Sequence, residues 1–307
     1  MKRRQLAPPR LTTGKERRWL DPNRGLLKMC ERDIDFVVSR YVYPHLLGIW
    51  NPYSSILTKR FSLAQISLAP PLWPRDLPAL KILLLSDIHT GIFLKPAVLG
   101  DIVRSLMELQ PDLVAVAGDI VTGQSSDLNG FLGALAPLSR APLGAWYCFG
   151  NHDYFDGNAR DIRKKLESLE IITLANESVV VKHGNGQFVL GGLDDFTLGS
   201  PDWECLLSSN GAPHLLLAHH PDFFYQAAAR NVALTLSGHT HGGQIRPYWT
   251  PPLVRHSKFC LDEGAYRHKG SMIIVSRGLG SVGLPIRYGA DPEAIWIEVH
   301  SGDGAPQ

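Results

Sequence analysis

The sequence predicts a layered α/β domain, and two observations carry that prediction. Short, almost continuous apolar runs recur along the chain, as in LKILLLS (80–86) and PDLVAVAGDIV (111–121), the pattern of strands buried on both faces. Between them lie segments with helical periodicity, so strands and helices alternate as in a sheet flanked by helices. The chain has 307 residues and an apolar share of 44%, enough for one large core or for one domain with an extension.

The elements follow in order. Residues 1–24 read as a disordered, basic arm. Lys2, Arg3, Arg4, Arg10, Lys15, Arg17, Arg18 and Arg24 stand against Glu16 and Asp21, a balance of +6, while the whole chain carries only +2. Over 26–43 the apolar residues Leu26, Leu27, Cys30, Ile34, Val37, Val38 and Tyr41 recur at three- and four-residue spacing, which predicts an amphipathic helix ended by Pro44. An aromatic stretch with Tyr41, Tyr43, Trp50 and Tyr53 follows. Residues 1–55 are therefore expected to be a basic, partly helical N-terminal extension, 56–300 the α/β domain, and 301–307 a disordered tail. Within the domain, strands are predicted at 60–68, 80–86, 111–121, 143–149, 190–192, 214–220, 232–241, 271–278 and 293–299. Helices are predicted at 96–109, 130–139 and 159–169.

Composition narrows the function classes. Cys30, Cys148, Cys205 and Cys260 are far apart and form no CxxC pair, which excludes a zinc knuckle or a thioredoxin-type motif and suits a reduced, intracellular protein. The start MKRRQLAPPRLTTGKERRWL has two arginines but no apolar run behind them, so no signal peptide is expected. No segment approaches the roughly 20 apolar residues of a membrane span. A cytoplasmic location is the expectation, with the basic arm and the aromatic stretch able to meet an anionic membrane surface. A nucleic-acid partner is not expected, because the catalytic portion is net acidic and lacks a cationic face.

Five polar pieces each fall just after a predicted strand, where α/β sheets gather ligand sites. They are SDIHTG (86–91), GDIV (118–121), GNHD (150–153), AHHP (218–221) and GHTHGG (238–243), and they hold six of the twelve histidines. So many polar groups at the mouth of an apolar core need a common partner, and a metal site provides one. Hydrolysis of a phosphoester needs its negative charge neutralised and a water activated, and two divalent cations sharing a hydroxide do both. Asp119 is the candidate carboxylate between them. Asp87 and His89 can bind one ion from a single turn, Asn151 offers a neutral oxygen to the other, and His239 and His241 share one face of an extended segment. The ligand mix is compatible with manganese, iron, zinc or cobalt, with manganese preferred. In AHHP either His219 or His220 can coordinate. Asp194 and Asp195 read as turn formers beside two glycines, with support of the site as the alternative.

Taken together, DIH, GD, GNHD, HHP and GHTH in this order resemble the calcineurin-like metallophosphoesterase superfamily over roughly residues 79–300. The resemblance implies a four-layer α/β/β/α sandwich. It also implies that one metal takes Asp87, His89, Asp119 and His241, and a second takes Asp119, Asn151, His219 and His239. His219 rather than His220 matches the family's His-x-Pro, which leaves His220 at the rim, against substrate or on the surface. His152 matches a histidine that faces the substrate and stabilises the transition state or protonates the leaving oxygen, and Asp153 is expected to orient the GNHD loop. The segments GHTHGGQIRPY (238–248), LGGLDD (190–195) and VSRGLGSVGLPIRYGADPE (275–293) resemble the branch of twin-arginine-exported and membrane-attached phosphoesterases, which includes UDP-2,3-diacylglucosamine pyrophosphohydrolases of lipid A synthesis. That implies a lipid-linked phosphodiester or pyrophosphate as substrate. The alternatives are a soluble phosphodiesterase of cyclic or other small nucleotides and a noncatalytic interaction module. Arg277 and Arg287 are expected either to clamp phosphate bidentately or to form structural ion pairs.

Overall fold

Apolar runs of four to seven residues become interior strands here, and the polar residues that end each run collect along one rim. The computed structural model describes residues 2–5, 10, 11, 53–91, 93–246, 251, 252 and 254–301. In chain order its strands are β1 (Lys2–Gln5), β2 (Arg10–Leu11), β3 (Ser62–Leu68), β4 (Leu80–Leu85), β5 (Leu113–Ala117), β6 (Ala145–Cys148) and β7 (Ile171–Leu174). They continue as β8 (Glu177–His183), β9 (Gly186–Gly192), β10 (Leu215–Leu217), β11 (Leu234–Ser237), β12 (Gly264–His268), β13 (Ser271–Val275) and β14 (Glu293–Val299). The α-helices are α1 (Tyr53–Arg60), α2 (Pro96–Met107), α3 (Leu132–Leu135), α4 (Ala159–Glu167), α5 (Trp203–Asn210) and α6 (Phe224–Ala229).

Among the described residues the strands form two seven-stranded sheets, ordered β1-β3-β14-β4-β5-β6-β7 and β2-β12-β13-β11-β10-β9-β8. Strands β4 to β7 run parallel, and so do β9, β10, β11 and β13. Side chains alternate along each strand, and both faces of the central strands are covered. Ile82, Leu84, Ala115 and Ala117 of the first sheet pack against Leu215, Leu217, Leu236 and Ile274 of the second. Leu83, Leu85, Val114 and Val116 point the other way, onto Leu99, Val103 and Leu106 of α2 and Ile162 of α4. Leu216 of the second sheet meets Trp203 and Leu206 of α5 and Ala227 of α6. The result is the α/β/β/α sandwich.

Several expectations change. The predicted strand 60–68 begins at Ser62, because α1 runs through Arg60. Tyr53 and Leu57 of α1 are fully buried, so the expected boundary between residues 55 and 56 falls inside a helix that packs on the domain core. The helix predicted over 130–139 is a single α-turn between two 3₁₀ turns, Ser125–Phe131 and Ala136–Arg140. Gly130 and Gly133 weaken it, and Pro137 has no amide hydrogen to continue it. Lys2–Gln5 and Arg10–Leu11, expected to be disordered, pair in parallel with β3 and β12. An edge strand needs only backbone groups and accepts charged residues, so composition does not reveal it. The rest of the basic arm, the helix expected over 26–43, the stretch from Tyr41 to Pro52 and the tail after Ser301 lie outside the described residues. No helix among the described residues is long and apolar enough to cross a membrane.

Candidate metal centre

The rim where β4, β5, β6, β10 and β11 end carries every one of the five polar pieces. The chain must turn sharply there, and it does so through left-handed backbone at side-chain-bearing residues: Asp87 (φ 47), His89 (φ 48), Asp119 (φ 52), His239 (φ 72) and His241 (φ 51). Such conformations cost on the order of 1–3 kcal/mol each and persist only where the surroundings dictate them. Here a backbone lattice does so. The amides of Asp87, His89 and Thr90 donate to the carbonyls of Gly118, Asp119 and Ile120 at 3.0, 3.1 and 2.8 Å, and the amide of Gly280 donates to the Asp87 carbonyl at 2.6 Å. Gly150 and Gly238 are required by close approach: a Cβ on the first would overlap the Asp119 carboxylate, and on the second the Asp87 carboxylate.

Three groups of potential ligand atoms lie within 4.8 Å of one another: Asp87, His89 and His241; Asp119, His219 and His239; and His89, Asp119 and His152, which joins the other two. All are buried. His89 Nε2 is 3.2 Å from His241 Nε2, and His241 Nε2 is 3.5 Å from Asp87 Oδ1. Asp119 Oδ2 is 3.1 Å from His219 Nε2 and 3.8 Å from His89 Nε2. His239 Nδ1 is 3.0 Å from Asn151 Oδ1, so Asn151 stands on the Asp119–His219–His239 side.

The electrostatics suit cations. Burial, helped by neighbouring positive groups, holds His89 and His241 well below the usual imidazole range, so both stay neutral with lone pairs to offer. Burial pushes the Asp87 carboxyl up to about 6. Burial also pushes Asp119 up, but the charges of His219 and His152 outweigh it and keep this carboxylate ionised. His219 is the reciprocal case, held protonated by Asp119 against its own burial. A dication between Asp119 and His219 would take the place of that proton. Buried neutral imidazoles and carboxylates at this density, three clusters joined through His89 and Asp119, fit a metal pair.

The neighbours explain which atom of each residue faces the site. His219 Nδ1 donates to the Ala117 carbonyl at 2.7 Å, which leaves Nε2 toward Asp119. His220, by contrast, accepts from the Asp222 amide through Nδ1 at 3.2 Å. It is 2% exposed, not the surface histidine that was one alternative, and its ring lies 4.2 Å from the His239 ring. His152 Nδ1 donates to the Thr122 carbonyl at 2.7 Å, and its amide donates to Asp119 Oδ1 at 2.8 Å. The Asp153 carboxylate accepts from the amides of Asp119 (3.0 Å), Ile120 (3.0 Å) and Gly150 (2.8 Å) and from the Tyr147 hydroxyl. It ties the GD and GNHD turns together, and burial pushes its carboxyl up to about 7.

The phosphate-clamp reading of Arg277 and Arg287 does not survive. Arg277 is 5% exposed; its Nη2 donates to Glu293 Oε2 at 2.8 Å, and Glu263 lies 3.5 Å from Nε. It forms the structural ion pair. Arg287 is 1% exposed and donates to the carbonyls of Gly280, Arg277 and Ala290, with Nη2 2.9 Å from His241 Nδ1. A guanidinium whose donors are taken by protein cannot offer a fork to substrate. Asp194 and Asp195 take the turn reading, accepting from Ser200 N and from Thr197 N and Leu198 N. Sequence reasoning missed Tyr147, whose hydroxyl meets Asp153, and Arg287's contact with His241. In AWYC a tyrosine reads as core, and nothing along the chain signals either pairing.

A two-sheet sandwich with neutral imidazoles and carboxylates converging on one shared aspartate defines a metal-dependent hydrolase scaffold. Residues 80–243 match the family model described as calcineurin-like phosphoesterase, and the chain belongs to that family. It is 31% identical over 263 residues to the uncharacterized metallophosphoesterase YkuE of Bacillus subtilis, covering 83% of this chain and 86% of that one. It is 33% identical over 229 residues to the phosphodiesterase YaeI of Escherichia coli, covering 71% and 82%. It is also 33% identical over 237 residues to a transmembrane protein with metallophosphoesterase domain of Danio rerio, covering 72% of this chain but only 53% of that protein. The protein is thus a hydrolase of phosphoester bonds, from a metal-dependent family, with His and Asp clusters suited to a dinuclear site.

Proposed function

We propose that the chain hydrolyses a phosphodiester or pyrophosphate on a lipid-linked substrate, of which UDP-2,3-diacylglucosamine is the sharpest candidate. The observation that carries the dinuclear reading is the position of Asp119, which belongs to two ligand clusters at once. In this reading Asp87, His89, Asp119 and His241 hold one metal, and Asp119, Asn151, His219 and His239 hold the other. Manganese is the preferred ion, with iron, zinc and cobalt as alternatives. When bound, the pair supplies positive charge for the phosphoryl oxygens and acidifies a water at neutral pH.

The chain's own residues do the rest. His152, anchored by Thr122 and by Asp119, presents its Nε2 edge to the substrate and delivers a proton to the departing oxygen. Asp153 keeps the two turns in register. The rigid backbone lattice holds the ligands before any ion arrives, which lowers the reorganisation needed during the reaction. The name of YaeI supports a phosphodiester as the bond cleaved, and that of the Danio rerio protein supports work beside a membrane. A lipid-linked substrate is further supported by exposed apolar side chains, Phe196, Leu198, Val254 and Leu284, on loops that leave the rim.

The test is a turnover screen of the manganese-loaded protein. Its arms are UDP-diacylglucosamine in mixed micelles, cyclic nucleotides and a soluble aryl phosphodiester, with metal content measured in parallel. Faster turnover of the micellar substrate, at two metals per chain, is the expected result. Preference for cyclic nucleotides would move the protein to the soluble phosphodiesterase reading, and no turnover with any substrate would leave only the noncatalytic one.

A further inference from the structure

Helix α1 precedes residues 80–243, the stretch that matches the family, yet a side chain of this helix reaches the metal centre. Tyr53 and Leu57 are both fully buried in the core. Leu57 brings only apolar atoms there, whereas Tyr53 brings a hydroxyl. That hydroxyl donates to the Leu279 carbonyl and accepts from the Arg287 guanidinium. Burial pushes its pKa up to about 12, so it keeps the proton that it donates.

Both partners of the hydroxyl hold turns that carry the ligands of one metal. The Leu279 amide donates to the Ser86 carbonyl at 3.1 Å, and the Gly280 amide to the Asp87 carbonyl at 2.6 Å. Segment 278–280 lies directly on the Asp87–His89 turn: a Cβ on Gly278 would stand 2.5 Å from Asp87 Cβ, and one on Gly280 2.6 Å from His89 Cβ. Arg287 donates through Nε to the Gly280 carbonyl at 2.8 Å and through Nη1 to the His241 carbonyl at 3.4 Å, while Nη2 lies 2.9 Å from His241 Nδ1. One rigid guanidinium therefore spans the Asp87–His89 turn and the His241 turn, and any tilt of it moves both. It leaves His241 Nε2 facing Asp87 Oδ1 at 3.5 Å. The side chains of the other cluster are turned by different groups: the Ala117 carbonyl for His219, Asn151 for His239 and the His152 amide for Asp119.

We infer that Tyr53 is a positioning residue for the metal held by Asp87, His89 and His241, acting through Leu279 and Arg287, so that the N-terminal helix sets the affinity of this ion more than that of its neighbour. The inference rests on the dinuclear reading of the site. Phenylalanine at this position keeps the ring and its packing. It leaves the Leu279 carbonyl and the guanidinium without the hydroxyl, and the two turns lose their fixed separation. Groups that orient metal ligands contribute about 10- to 100-fold in affinity.

The experiment titrates the full chain, stripped of metal, with manganese by calorimetry and follows thermal unfolding of the metal-free protein. Wild type, Tyr53→Phe, Leu57→Ala, His241→Ala and the Tyr53→Phe, His241→Ala double variant are compared. Tyr53→Phe is expected to weaken one of two ions about tenfold and the other far less. Leu57→Ala opens a cavity beneath the same helix and is expected to lower the melting temperature with both affinities kept. Once His241 is gone, Tyr53→Phe should change metal binding no further. Wild-type affinities in Tyr53→Phe overturn the inference. So does equal weakening of both ions, an equal loss in Leu57→Ala, or a further loss in the His241→Ala background. A Tyr53→Phe chain that does not fold without metal overturns it too, because the hydroxyl then holds the fold rather than the site. A wild type that takes up a single ion counts against the dinuclear reading, and comparing Tyr53→Phe with Leu57→Ala then decides the inference for that ion. No uptake at all sinks both.

Discussion

Replacing Asp153 by asparagine changes almost no volume and removes one acceptor oxygen from behind the site. The Asp153 carboxylate serves four backbone amides, of Asp119, Ile120, Val121 and Gly150, and the Tyr147 hydroxyl. Asparagine has a single acceptor oxygen, and its NH2 group must face donors. Two of the amides and the hydroxyl converge on Oδ2, so the NH2 takes the Oδ1 position and faces the Ile120 and Val121 amides. The Ile120 amide keeps the Tyr147 hydroxyl at 3.3 Å, but the buried Val121 amide loses its acceptor and the remaining bonds weaken. Together these cost about 2–4 kcal/mol, a fall in Tm of roughly 5–15 °C for a domain of this size. Because the amides belong to Asp119 and to the GNHD turn, metal affinity and turnover should each fall about 10- to 100-fold. The assays are thermal unfolding of the metal-free and loaded protein, metal content after dialysis against a weak chelator, and turnover of an aryl phosphodiester. Unchanged melting with unchanged metal retention would refute the argument that Asp153 organises the two turns.

Other perturbations separate the remaining roles. Asp119→Asn should lower turnover about a hundredfold or more and reduce metal content from near two equivalents, measured by elemental analysis; wild-type content and turnover would contradict the bridging assignment. His152→Ala should keep both metals and lose about 10²–10⁴-fold in rate with a poor leaving group, less with nitrophenolate; loss of a metal would make it a ligand instead. Arg277→Ala removes the guanidinium from the buried Glu293 carboxylate, which keeps the amide of residue 277, and should destabilise the fold by about 3–5 kcal/mol in denaturant unfolding, with substrate KM little altered; a KM effect without destabilisation would restore the clamp reading. The basic arm should attach the full chain to anionic liposomes at low salt, each cation contributing on the order of 1 kcal/mol. Sedimentation that a chain starting at residue 53 reproduces, or that high salt leaves unchanged, would exclude the basic arm as the attachment, and no sedimentation at low salt would exclude that surface as a partner.

The residues themselves determined a great deal. Strand runs such as 80–86 and 293–299 were legible because burial on both faces leaves an almost continuous apolar run, a signal that survives without any alignment. The ligands were legible because each sits in a turn at a strand end, where Asp, His and Gly must stand side by side in the chain. Other features were decided only in three dimensions. Arg277 and Arg287 look alike in sequence, and only the placement of Glu293 on β14 and of the Gly280 carbonyl shows that both guanidiniums are spent inside the protein. Tyr147 reads as core until Asp153 is found against its hydroxyl. His219 and His220 are neighbours in the chain, and what divides them is which nitrogen a backbone group occupies: the Ala117 carbonyl turns Nε2 of the first toward Asp119, while the Asp222 amide takes Nδ1 of the second. Strand periodicity reports how a residue is buried, a local property. Hydrogen-bond partners are set by residues far along the chain, 227 positions away where Arg60 meets the Arg287 carbonyl, and only the folded chain brings them together.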